Sequence, residues 1–263
     1  MSGLPERAEE QRFRSFEGAP ERVVAFYRDN HREQTHAVAR AKADRFAALN
    51  ERRMSAWDAL MELDEFVDES DPDTEMGQLD HALQTAEAAR AAEEPEWLVF
   101  TALVHDLGKV LCLFGEPQWA VVGDTFPLGC AFSERVVFAE FFSENPDSSD
   151  ERFTTPTGIY EPGCGLDAVT MSWGHDEYLA RVLAGRLPEE ALYVIRYHSF
   201  YAAHSHGAYE ELFDERDRAL MPWVRRFQAF DLYSKRPDVP KREELLPRYQ
   251  ELFARWLPDP LDW

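Results

Sequence analysis

Within Phe100-Thr-Ala-Leu-Val-His105-Asp106-Leu-Gly-Lys109-Val-Leu111 an imidazole, a carboxylate and an ammonium sit among apolar residues. Phe100, Leu103, Val104, Leu107, Val110 and Leu111 recur at helical spacing, so the stretch predicts one largely buried helix. At about 100° per residue, His105 and Lys109 share a face of that helix and Asp106 lies one step round from it. Burying such groups is costly, and they persist in a core only when paired with one another or bound to a cation. A single His-Asp couple meets that requirement as readily by hydrogen bonding as by binding metal.

Other polar groups on apolar faces bear on the choice. His81 carries Gln84, Thr85 and Ala88 on its face, and His175 has Tyr178 and Leu179. His198 follows Ile195 by three residues and Asp231 follows Phe227 by four. Histidines and aspartates contributed by several helices are what an all-α metal site requires, because bundle cores build such sites from facing helices. A donor set of nitrogen and oxygen without sulfur favours iron, manganese or zinc. His81, His105, Asp106, His175, His198 and Asp231 together suit two ions bridged by one aspartate. Each of the six, taken alone, is equally compatible with a satisfied core residue.

The elements that must position these groups are helical. Residues 1 to about 18 are polar and irregular and include an arm, Phe13-Arg14-Ser15-Phe16. From Pro20 a long segment places Val23, Val24, Tyr27, His31, Val38 and Phe46 near helical spacing. Ser55 followed by Asp58 resembles a capping box that opens a helix with Trp57, Leu60, Met61 and Phe66 inward. Asp68 to Asp73, acidic and Pro-containing, is a loop. A helix beginning near Asp80 carries His81, and the His105 helix follows Pro95. Gly115 to Cys130, broken by proline and glycine around an apolar tetrad, predicts a functional or tightly packed loop. A shorter helix is predicted over 133–142 and an irregular stretch over 145–165. Four further helices are predicted over 167–184, 188–203, 216–235 and 241–256. Every strong period is 3.6 and no internal repeat occurs, so the class is all-α.

Composition narrows the possibilities. The 263 residues are 44% hydrophobic and 13% aromatic, enough for a large core, and no Gly/Ser-rich linker divides them. The net charge of -22 is spread along the chain, which argues against nucleic acid as a partner. Three cysteines, Cys112, Cys130 and Cys164, form no complete set of pairs and no CxxC motif, which argues against structural disulfides and a thiolate zinc site. The first ten residues lack the apolar stretch of a signal peptide, and no run reaches about 18 apolar residues. The cytoplasm, with no membrane contact, is the expected location.

The spread pattern His81, His105-Asp106, Asp231 resembles the HD-domain superfamily, whose members are mostly metal-dependent phosphohydrolases. Longer words go further. Val67-Asp-Glu-Ser-Asp-Pro-Asp73, His81-Ala-Leu-Gln-Thr-Ala-Glu87, Leu103-Val-His-Asp-Leu-Gly-Lys109, Gly115 to Pro127, Met171-Ser-Trp-Gly-His-Asp-Glu-Tyr178, Arg196-Tyr-His-Ser-Phe-Tyr201 and Phe230-Asp-Leu-Tyr-Ser-Lys235 closely resemble inositol oxygenase. The likeness runs from Phe13 to Trp263. It implies a single-domain helical bundle of HD-domain type over residues 13–263 behind a flexible segment, 1–12, and a monomer.

The resemblance also implies an activity: cleavage of the myo-inositol ring between C1 and C6 with O2, giving D-glucuronate, at two iron ions in a mixed-valent Fe(II)/Fe(III) state. By position, His81, His105, Asp106 and Asp231 match the ligands of a first iron. Asp106 bridges to a second, held by His175 and His198, which keeps open positions for two adjacent hydroxyls. Lys109 matches a group that favours the deprotonated substrate oxygen, and Lys235 a hydroxyl donor; the plain alternatives are an ion pair to a nearby carboxylate for Lys109 and an i,i+4 pair for Lys235. Gly123, Asp124 and Ser199 match substrate contacts, which a polyol requires because an unpaired buried hydroxyl costs about 1–3 kcal/mol. Arg14 and Asp68 match a closing pair, or else are solvated loop charges.

His31, His36, His204 and His206 are read as solvated. Asp80 beside His81, and Ala202 to Gly207, depart from the family pattern without removing a ligand. Two other readings keep the cluster: an HD-type phosphohydrolase in which a metal-bound hydroxide attacks phosphorus, and a related mixed-valent oxygenase acting on another polyol or an organophosphonate. A metal-free helical binding module would require a lost ligand position, and all six are present.

Overall fold

A computed structural model of the chain describes residues 16–72, 77–231 and 241–263. Within them the architecture is all-α, as the 3.6-residue period predicts; the sole regular ladder pairs β1 (Arg53–Met54) with β2 (Leu261–Asp262) antiparallel. That ladder ties down the C-terminal residues. Trp263 is fully buried, and its indole N–H donates to the Met54 carbonyl at 3.1 Å.

The segment from Pro20 to Phe46 is two helices instead of one, α1 (Glu21–Glu33) and α2 (His36–Arg45). The Thr35 hydroxyl accepts from the Val38 backbone N–H, and a capped N-terminus at that point ends the preceding helix. Ser55 caps α3 (Ala56–Glu62) in the expected way, its Oγ accepting from the Asp58 N–H at 3.0 Å.

The frame of the site is α4 (Gln78–Ala91), α5 (Glu96–Val104), α6 (His175–Val182), α7 (Glu189–Tyr197) and α9 (Glu215–Asp231), with a single-turn α8 (Tyr201–His204) before α9 and α10 (Arg242–Trp256) after it. Seven consecutive residues of α5, Leu98 to Val104, are buried, which makes α5 the centre of the bundle. α4 packs along it, α6 along α7, and α9 against α4, α5 and α7. No helix among the described residues is long and apolar enough to cross a membrane.

Several expected helices are shorter than their periodicity, and each stops for an identifiable reason. The run Phe100–Leu111 is α5 up to Val104, a turn at His105-Asp106, and then a 3-10 segment, Leu107–Cys112. Gly108 lies in that segment against α6; a Cβ there would overlap the His175 carbonyl. The region 167–184 is helical from His175, because Thr170 to Trp173 is extended alongside the 115–130 loop. Leu128 N–H donates to the Thr170 carbonyl and Ser172 N–H to that of Phe126, both at 2.8 Å. The region 188–203 breaks after Tyr197, where Thr125 N–H takes the Ser199 carbonyl at 2.9 Å. Instead of a helix over 133–142, the chain forms a 3-10 segment, Ala139–Glu144, entered through Phe138 in the left-handed region at φ 53°. Aromatic packing decides this: the Phe142 ring stacks on His31 at 4.2 Å and on Phe132 at 4.1 Å.

Candidate metal centre

Three of the six candidate ligands occupy helix ends. His105 caps the C-terminus of α5 and His198 that of α7, while His175 is the first residue of α6. His81 lies near the start of α4, and Asp231 is the last described residue of α9. Two helix C-termini therefore deliver their ligands with the negative end of the peptide dipole facing the same point, which favours a cation there.

The packing brings all six together. His81 Nε2 lies 3.3 Å from His105 Nε2 and 3.0 Å from Asp231 Oδ1, and His105 Nε2 lies 3.3 Å from the same Asp231 oxygen. On the other side, His175 Nε2 is 3.2 Å from His198 Nε2. Asp106 stands between the two groups. Its Oδ2 is 3.7 Å from His81 Nε2 and 3.5 Å from His105 Nε2; its Oδ1 is 3.2 Å from His175 Nε2 and 3.7 Å from His198 Nε2.

These separations test whether the residues fit a metal. Donors held about 2.1 Å from one cation stand about 3.0 Å apart at right angles and about 3.4 Å apart in a tetrahedron. Protonation patterns agree. His105 Nδ1 is 2.9 Å from the Ala102 carbonyl, His175 Nδ1 2.7 Å from that of Val121, and His198 Nδ1 2.8 Å from that of Ile195. A carbonyl only accepts, so each Nδ1 carries the proton and each neutral ring turns its Nε2 lone pair inward. Two such nitrogens facing each other at 3.2 Å require a proton or a metal cation between them. The two donor groups fit two cations, with one oxygen of Asp106 toward each.

The surrounding charge is set accordingly. Burial alone would push the Asp106 and Asp231 carboxyls up; the neighbouring histidines, and for Asp106 the Lys109 ammonium, outweigh it and hold both well below the usual carboxylate range. Burial disfavours charge on His175, but Asp176 and Asp106 override it and raise the imidazole to about 10. His81 is raised in the same sense by Asp231 and Asp106 against the effect of burial. Without metal, protons take the place of the cations, and metal uptake must release them.

Lys109 Nζ donates at 2.8 Å to Asp68, at 2.9 Å to Asp106 Oδ2 and at 2.9 Å to Gln78 Oε1. Although its burial favours the neutral amine, the two carboxylates raise its pKa and keep it charged. Asp68 is thus paired with Lys109 and is no solvated loop charge. The 115–130 loop backs the second group: the Val121 carbonyl accepts from both the backbone N–H and Nδ1 of His175. Gly123 has φ 93°, and a Cβ there would press on the Phe26 ring at 2.9 Å. Asp124, buried, accepts from the Tyr27 hydroxyl at 3.1 Å, and Ser199 donates to Asp176 Oδ1 at 3.2 Å.

Arg14 and Lys235 lie outside the described residues. The reading of His31 and His204 as solvated is wrong. His31 is fully buried, its Nε2 2.7 Å from the Val137 carbonyl; burial lowers its pKa to about 4. His204, 6% exposed, has Nε2 2.8 Å from the His198 carbonyl. Gln78, Tyr27 and Asp176 were not singled out from the sequence. Asp176 carries a visible signal, since His175-Asp176 repeats the dipeptide His105-Asp106.

A sequence profile described as Myo-inositol oxygenase matches residues 20–263. The chain is 47% identical over 258 residues to the inositol oxygenase of Homo sapiens, covering 95% of this chain and 90% of the human protein. It is 43% identical over 272 residues to that of Dictyostelium discoideum, covering 100% of this chain and 93% of the relative.

This chain belongs to the myo-inositol oxygenase family. Inositol oxygenase 1 of Arabidopsis thaliana, 47% identical over 261 residues covering 95% of this chain and 84% of the plant protein, extends the likeness across kingdoms. His81, His105 and Asp106 form one group that could hold a metal ion, and Asp106, His175 and His198 form another.

Proposed function

We propose that this chain is an inositol oxygenase that opens the ring of myo-inositol with O2 to give D-glucuronate. Two iron ions, working as a mixed-valent Fe(II)/Fe(III) pair, are held by His81, His105, Asp106 and Asp231 on one side and Asp106, His175 and His198 on the other. The observation that carries this reading is the placement of Asp106, with Oδ2 toward His81 and His105 and Oδ1 toward His175 and His198. Iron bound there supplies one-electron redox chemistry and a Lewis-acidic position for two neighbouring hydroxyls.

The side chains do the rest. Lys109, fixed by Asp68, Asp106 and Gln78, places a permanent positive charge where a substrate hydroxyl loses its proton, which favours the alkoxide. Tyr27 holds Asp124 to accept from ring hydroxyls, and the bare backbone of Gly123 lets the ring approach. Ser199 adds a polar group beside the second ion; the family match assigns Lys235 and Arg14, outside the described residues, to the same substrate together with Asp68. His175 and His198 orient the substrate through the second ion. The protein acts as a cytoplasmic monomer, its substrates myo-inositol and O2, with no nucleic acid or membrane partner.

Iron-loaded, anaerobically reduced protein given myo-inositol and limiting O2 is expected to consume the O2 and form glucuronate in equal amount. Release of phosphate from phosphoesters, with inositol untouched, would replace this function with hydrolysis at the same centre.

A further inference from the structure

Asp176 is the second residue of α6 and is 1% exposed, yet no role described above requires it. Its Oδ1 accepts from Ser199 Oγ at 3.2 Å, and lies 3.0 Å from His175 Nε2 and 3.1 Å from His198 Nδ1. Its Oδ2 is buried with no hydrogen-bond partner among the described residues. A buried carboxylate with an unmatched oxygen is destabilising unless positive charge stands nearby.

The placement distinguishes two roles. A ligand sharing an ion with His198 would sit beside Nε2, the nitrogen that faces His175 Nε2 at 3.2 Å. Toward His198, Asp176 instead reaches Nδ1, the outer nitrogen, whose proton is also directed at the Ile195 carbonyl 2.8 Å away, while toward His175 the same oxygen lies beside the inward-facing Nε2 at 3.0 Å. A carboxylate behind a ligating imidazole fixes its tautomer and ring plane and makes Nε2 a stronger donor. His105 in the first group differs: its Nδ1 has the Ala102 carbonyl, and Asp106 and Asp231 lie on its Nε2 side.

We propose that Asp176 is the positioning carboxylate of the second metal position. It clamps His198 from behind, ties Ser199 to the same oxygen, and sets a negative charge beside His175 that raises the affinity of this position for its cation. The first position is independent of it. The proposal rests on the two-ion reading given under Proposed function.

The test is anaerobic titration of the metal-free full chain with Fe(II), the two positions being distinguished by Mössbauer spectroscopy. Asp176→Asn, which keeps shape and removes charge, is expected to bind the second ion 10- to 100-fold more weakly. The first ion is expected to bind within about 2-fold of the wild type, as a position independent of Asp176 requires. Two ions bound by the variant with wild-type affinity overturn the proposal, as does equal weakening of both. A wild-type chain that takes up one ion overturns the two-ion reading and this proposal with it, whereas two in the wild type and two in the variant overturn this proposal alone. Asp176→Ser repeats the titration with less volume in the core. If both metal-free variants lose their helical circular dichroism, the residue belongs to the fold and the proposal fails.

Discussion

The two halves of the centre are built differently. His81, His105 and Asp231 are delivered by α4, α5 and α9, regular helices of 14, 9 and 17 residues whose mutual packing sets the geometry. His175 and His198 stand at the ends of α6 and α7 and are held by an irregular loop, through the Val121 carbonyl and the Thr125–Ser199 backbone bond. A ligand carried on packed helices is placed by many small contacts, and no one of them decides its position. A ligand held by a loop is placed by a few identifiable bonds, and the same loop brings Gly123 and Asp124 beside it.

The sharpest way to break this comparison is to remove one ligand from the loop-held half. His175→Ala is expected to lose the second ion and to lower turnover by more than about 1,000-fold, since oriented substrate binding is worth that much. The fold and the first ion should survive; metal content and glucuronate formation check this, and full activity in the variant would contradict the assignment.

Lys109 holds Asp106 and the Asp68 loop together. Lys109→Met leaves two buried carboxylates without their cation, a change that costs about 3–5 kcal/mol when one partner of a buried pair is removed. Because loss of one electrostatic stabiliser costs about 100- to 1,000-fold in turnover, metal-loaded Lys109→Met should show that loss while its Tm recovers toward the wild type. Unfolding with and without iron measures both.

Gly108 sets the distance between the halves. A methyl group there meets the His175 carbonyl, so Gly108→Ala should destabilise by about 1–3 kcal/mol and weaken the second ion more than the first. Equal weakening of both in a metal titration would show that the spacing is set elsewhere.

The smallest effect tests the aromatic layer behind the loop. His31 in the folded chain has a pKa near 4, against about 6.5 when unfolded. Because that value is depressed in the native state, the unfolded chain binds the proton first. Stability is full above pH 6.5, falls as pH drops through the window to 4, and loses nothing more from this group below it. From pH 7 to pH 5 the loss is about 2 kcal/mol, and His31→Gln should reduce the acid dependence of urea unfolding by that amount.

The same contrast explains what could be read in the sequence. α4, α9 and α10, the Ser55 cap and the Asp68 loop follow from period and capping, because local pattern and tertiary packing agree there. The ends of α5, α6 and α7 do not. Apolar residues continue past His105 at helical spacing, so periodicity alone runs the helix through to Leu111, whereas the contact of Gly108 with His175 breaks it. Residues 133–142 have helical spacing too, yet stacking of Phe142 on His31 and Phe132 shapes them. His31 was misjudged for the same reason: its helix is polar at neighbouring positions, but two ring nitrogens with partners and an aromatic stack make its burial tolerable.

The central claim is that one carboxylate, Asp106, joins two cation positions. Iron content, with electron paramagnetic resonance after partial reduction, tests it most directly. Two irons per chain with a spin-coupled mixed-valent signal is the predicted result, and a single ion, or two that give the signals of isolated ions, would contradict it.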